Sequence, residues 1–156
     1  MRKRGSRRHR PAEPGAFLRA IGLQHGLDGA QQRDLTLGVR TSLLALSRGA
    51  GLENHVHTLA SAINVALVLT ERGTGLEFQA DIIAAQEALV RTIERGRCTG
   101  RWGMDGPALV AIGRALDVYE AQLAAVPCVE ARAAVREVTR RVQQGHVFEV
   151  VRGGVA

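Results

Sequence analysis

Apolar residues recur along this chain at spacings of three and four, and glycine or proline punctuates each run. The 3.6-residue helical period carries that pattern. A first helix is predicted from Asp28, a good N-cap, to Ser47, with Gly49 and Gly51 as its stop. Leu35, Val39, Leu43 and Leu46 share one of its faces. A second helix is predicted from Leu52 to Arg72, closed by Gly73. Leu52, Val56, Leu59, Ile63 and Leu67 form its main stripe, and Val65, Val68 and Leu69 fall on other faces. A helix that is apolar all round is surrounded by neighbours, so this one is expected to be central.

Thr74-Gly-Leu-Glu77 fits a capping box, with Thr74 as N-cap and Glu77 reaching back, and predicts the start of a third helix. Its face runs through Leu76, Ile82, Ile83, Gln86, Leu89, Val90 and Ile93 to an end near Gly96 or Gly100. After a loop, Asp105 caps a fourth helix and Pro107 sits in its first turn, where the missing N–H costs nothing. Leu109, Ile112, Leu116, Tyr119 and Leu123 form that stripe, with Gly113 in mid-helix, a weak point unless another backbone packs there. Pro127 ends the run. A fifth helix is predicted from Val129 to Gln144, with Val135, Val138 and Val142 inward and Gly145 as its stop. Five helices joined by short glycine loops imply an all-α fold, an antiparallel bundle. No internal repeat and no sustained heptads appear.

Three regions follow. Residues 1–16 have no apolar periodicity, hold Pro11 and Pro14, and are expected to be disordered when free. Residues 17–146 form the bundle domain, opened by a short apolar turn of Phe17, Leu18, Ile21 and Leu23 that could dock on the body. Residues 147–156 form a tail whose Val147–Val151 stretch has strand-like composition, suited to docking or to pairing with a second copy.

Composition refines this picture. The chain has 156 residues, 46% of them hydrophobic and 3% aromatic, so its core must be aliphatic. No run of about 18 apolar residues suggests a transmembrane helix, and no apolar stretch follows the basic start as a secretory signal would require. A cytoplasmic setting is therefore expected. Cys98 and Cys128 are too few for a disulfide framework and read as reduced thiols.

Charge changes the picture most. Six of the 21 basic residues (Arg2, Lys3, Arg4, Arg7, Arg8 and Arg10) lie in the first ten positions. The remainder balances at fifteen basic and fifteen acidic residues, so the net +6 belongs to the arm. Such a run releases counterions from nucleic acid and binds it in a salt-dependent, sequence-independent way. It would equally attract an acidic protein or serve as a solubilising tail.

Catalytic signals are weak. His55 and His57 are two apart and do not share a helical face, so no metal site is expected. Neither cysteine has a nucleophile motif, no glycine loop cradles a phosphate, and no acidic pair stands out. The chain is expected to be non-enzymatic and without cofactor. Three binding features are sharper. Asn64 lies inside the central helix, where its amide must be satisfied, either by a core partner or by a ligand. Trp102 beside Arg101 suits a partner contact, or a lid on the aliphatic core. Arg132, Arg136 and Arg140 recur every four residues, a candidate anion or nucleic-acid stripe that Glu130 and Glu137 could partly neutralise.

The pattern Met1-Arg-Lys-Arg4 with Ser6-Arg-Arg-His-Arg-Pro11 resembles the opening of small phage and prophage proteins of proteobacteria, often labelled Fis-family transcriptional regulators. The likeness continues through Leu59–Leu67, Glu71-Arg-Gly73, Ala85–Leu89, Thr99-Gly-Arg-Trp102 with Asp105-Gly106, Glu137–Arg141 and Gly145. It implies a mobile-element origin. A Fis-type ending would be a helix-turn-helix, whereas this chain offers one helix, Gly145 and an apolar tail.

Two functions are compatible with these features. One is an accessory protein that binds nucleic acid through its arm, with the bundle as scaffold or homodimeriser. The other is an anti-defence protein that binds a host immune protein or sequesters a small anionic nucleotide signal.

Overall fold

The structure, a computed structural model, describes residues 29–146. The basic arm, the apolar turn from Phe17, the Asp28 cap and the C-terminal tail lie outside the described residues. The fold is all-α. Five helices follow in order: α1 (Gly29–Ser47), α2 (Glu53–Glu71), α3 (Gln79–Thr99), α4 (Gly106–Ala125) and α5 (Cys128–Gln143). A short 3-10 turn, Leu76–Phe78, precedes α3.

Helix α2 is the hub. Val56 and every residue from Leu59 to Thr70 are buried, and α2 touches each of the other four helices. Its all-round apolar sequence produces that position, because each face finds a neighbour. Val39 and Leu46 of α1, Ile82 and Leu89 of α3, Ile112 and Leu116 of α4, and Val135 and Val138 of α5 complete one aliphatic core. Each such side chain contributes about 1.5–3 kcal/mol when fully buried. Helix α5 rests chiefly on α2, where Glu71 accepts two hydrogen bonds from Arg141 (2.6 and 3.1 Å).

Glycine in the left-handed region closes α1, α2 and α5 in the same way. At α2, Gly73 (φ 101°) donates to Thr70 O at 2.9 Å and Thr74 donates to Leu69 O at 3.0 Å. These are the two bonds of a Schellman motif.

That motif overturns the capping box expected at Thr74. The Thr74 N–H is consumed in ending α2, and Gly75 (φ 78°) then turns the chain into the 3-10 segment. Helix α3 starts only at Gln79, with no side-chain cap. Two members of the expected stripes also face outward. Leu52 is the N-cap of α2 and is 49% exposed, while Leu76 lies in the 3-10 turn and is 58% exposed. Both precede the regular helix, so the helical period does not govern them. The Asp105 cap of α4 forms as expected, accepting from the Ala108 N–H at 2.8 Å, with Pro107 in the first turn. Gly113 packs against no other backbone: nothing lies within 4 Å of an added Cβ.

Candidate functional site

Two loops meet at one end of the bundle. Helix α3 ends at Gly100 (φ 70°), whose N–H donates to Gly96 O at 2.8 Å. The chain then doubles back and lays the half-buried Trp102 indole on Gly96. A methyl at Gly96 would collide with the six-membered ring. Trp102 also forms an isolated antiparallel bridge with Gly51, and Met104 N–H donates to Leu46 O at 3.3 Å. The α3–α4 loop is thereby fastened to the α1–α2 turn. Gly51 is required by this approach, since a Cβ there would press on Leu46 and the Trp102 carbonyl.

Arg95 clasps the loop from α3. Its Nη2 donates to Gly103 O at 2.6 Å and its Nη1 to Asp105 Oδ2 at 3.3 Å. The Asp105 carboxyl is held below its ordinary range, first by the Ala108 N–H and then by Arg95 and Arg91. Beside the clasp opens a shallow depression of about 590 Å³, lined by Arg95, Thr99, Arg101, Gly103, Met104 and Asp105.

The charge at this end is unbalanced. Arg48, Arg91, Arg97 and Arg101 are exposed and make no ion pair among the described residues. Elsewhere on the body two arginines are held by carboxylates. Arg40 donates to Glu120 (2.6 Å) and Asp117 (2.5 Å), which raises its pKa further. Arg141 bridges Glu71 and Glu137.

Trp102 and Arg101, expected as neighbours in a contact, are adjacent here but play separate parts: the indole packs on α3 and the guanidinium faces solvent. Asn64 lies in the core, where its Oδ1 accepts from Gln86 Nε2 at 2.8 Å. Arg132, Arg136 and Arg140 share a side of α5 in unlike surroundings. Arg132 is half-buried and Arg136 exposed. Arg140 forks onto Glu137 (2.7 and 2.9 Å) and donates to Gln144. Glu137, held by Arg140 and Arg141, has its pKa lowered to about 2. The six arm cations lie outside the described residues.

The histidines serve α2 locally. His55 Nδ1 accepts from the Leu52 N–H at 3.0 Å, and His57 Nε2 stands 3.7 Å from Glu53. Neither Cys98 nor Cys128 forms a disulfide among the described residues. Among the described residues no three His, Cys, Asp or Glu side chains gather as a metal site would need, and no helix is long and apolar enough to cross a membrane.

The Arg95 clasp and the glutamine bonds were not anticipated. Gln86 carried a signal, as the one polar member of the stripe Ile82, Gln86, Leu89, Ile93. Arg95 carried none, because its partners are set by how the loop folds back. Set against protein-family models, curated proteins and solved structures, the chain shows no match.

Proposed function

We propose that this protein is a non-enzymatic accessory protein that binds nucleic acid through its basic arm, assisted by the cationic loop end. One observation carries the reading: positive charge is concentrated in the arm and gathers again at the joined loops, on arginines that form no ion pair among the described residues. Six cations occupy residues 2–10 of a chain that is otherwise neutral. On the body, Arg48, Arg91, Arg97 and Arg101 gather around the two joined loops, whereas Arg40 and Arg141 are held by carboxylates elsewhere. Nucleic acid is the polyanion that such unpaired arginines suit, through phosphate contacts without base readout. The resemblance to small phage and prophage proteins supports the same role.

The test is fluorescence anisotropy with a labelled DNA duplex over a salt series. Affinity should fall by about 10³-fold or more between 50 and 200 mM salt if some six phosphates are engaged. Replacing the six arm cations with Gln should abolish most of the binding, and Arg97→Ala with Arg101→Ala should weaken it further. Salt-independent affinity, or equal binding by the neutralised arm, would overturn the reading.

The depression beside Arg95 and Arg101 supports a second reading, sequestration of a small anionic nucleotide, since about 590 Å³ is within the range of ligand pockets. Native mass spectrometry of protein purified from a bacterial host separates the two. A retained nucleotide lost in Arg101→Ala favours the second; a clean protein excludes a tightly held ligand.

A further inference from the structure

A groove of about 570 Å³ opens between α1 and α4, with Gly29, Asp34, Leu37, Arg40 and Glu120 among its lining. Leu37 is 65% exposed and Leu44 48% exposed. They stand three residues before and four after Arg40, on the same side of α1. The Arg40 ion pairs therefore have large apolar side chains beside them on α1. A single exposed leucine is ordinary, but apolar groups gathered about one groove mark a contact surface.

The chain itself supplies the occupant. Gly29 is both the first described residue and part of the lining, so the preceding segment is covalently tethered at the groove. Residues 17–27 carry Phe17, Leu18, Ile21, Leu23 and Leu27, with Arg19 as their one fixed charge. We propose that residues 17–27 dock in this groove, running antiparallel to α1 and covering Leu37 and Leu44. The lengths agree. At 1.5 Å per residue, Leu37 lies about 12 Å and Leu44 about 22 Å along α1 from Gly29. The eleven steps from Asp28 back to Phe17 span about 16 Å as helix and about 36 Å extended. Leu37 is within reach of a helical segment, and Leu44 of a partly extended one. A directly tethered segment also acts at an effective concentration of about millimolar, an advantage that a second copy lacks.

Docking has a consequence that rests on the proposed nucleic-acid reading. It carries the arm from the base of α1 to the end that holds Arg48 and Arg101, joining the two sets of cations into one surface.

Hydrogen exchange of the full chain, without nucleic acid and at two protein concentrations, tests the docking alone. Amides of residues 17–27 should exchange at least about tenfold slower than an unstructured segment at both concentrations. Leu37→Asp should remove that protection and leave α2, α3 and α4 unchanged. If Leu37→Asp loosens the bundle, Ile21→Asp, which lies before α1, decides the matter by the same readout. Unprotected amides at 17–27 would overturn the proposal, as would protection that rises with concentration together with a dimer in sedimentation. Failure here leaves the anisotropy result standing, and failed DNA binding leaves the docking standing.

Discussion

The indole of Trp102 packs directly against Gly96, one turn before the end of α3, and only a residue without a Cβ leaves room for it. Gly96→Ala should lift the ring, cost about 1–3 kcal/mol through overpacking, and shift the emission of the only tryptophan to the red. The opposite is expected at Gly113, where a Cβ meets nothing: Gly113→Ala should add about 0.5–1 kcal/mol by helix propensity. Chemical denaturation of both variants checks the pair. Equal effects of the same sign would refute the packing account.

Asn64 and Gln86 join α2 to α3 by one buried hydrogen bond. Gln86→Leu leaves the Asn64 amide without this partner and should cost about 1–3 kcal/mol. Adding Asn64→Leu should recover part of the loss, because both polar groups are then gone. A double-mutant cycle with no coupling would show that the bond carries nothing.

Gln122 fastens α4 to α2 and its exit turn. Its Nε2 lies 2.8 Å from Thr70 Oγ1, 2.8 Å from Thr74 O and 3.2 Å from Ala66 O. Gln122→Leu should therefore destabilise the bundle by about 1–3 kcal/mol and speed amide exchange around Gly73 and Gly75. Unchanged exchange there would place the stabilisation elsewhere.

Glu137 sets an acid limit on the ion pairs within α5. Its pKa falls from about 4.5 to about 2 when the chain folds, through the bonds from Arg140 and Arg141. A depressed folded value stabilises above the unfolded pKa and is lost as pH falls, here between about 4.5 and about 2. Glu137→Gln should flatten the acid limb of a stability–pH curve in that window. An unaltered limb would mean that these bonds do not outlast solvent competition.

Tyr119, the only tyrosine, is buried and its hydroxyl is pushed well above its ordinary value of 10, mainly by desolvation. A raised folded value stabilises at low pH, and that stability is lost as pH climbs past the unfolded pKa. Absorbance at 295 nm should show no phenolate near pH 10 in the folded protein, only a step that coincides with alkaline unfolding. A free transition near 10 would contradict the burial.

The sequence by itself determined the all-α class, the five helices, the central place of α2, and the stops at Gly49, Gly73 and Gly145. These are local matters: the apolar period names the buried face, and a glycine able to take positive φ ends a helix. The Asp105 cap was legible for the same reason. Thr74 shows where local reading stops, since its N–H could begin one helix or finish another, and the α2 Schellman motif claimed it. Tertiary structure alone decided that Asn64 meets Gln86 across 22 residues, that Trp102 needs Gly96, and that Arg95 holds the α3–α4 loop. It also decided which arginines pair and which stand unmatched around Arg101. Those outcomes depend on which helix faces meet and how one loop folds onto another, and no spacing along the chain encodes that.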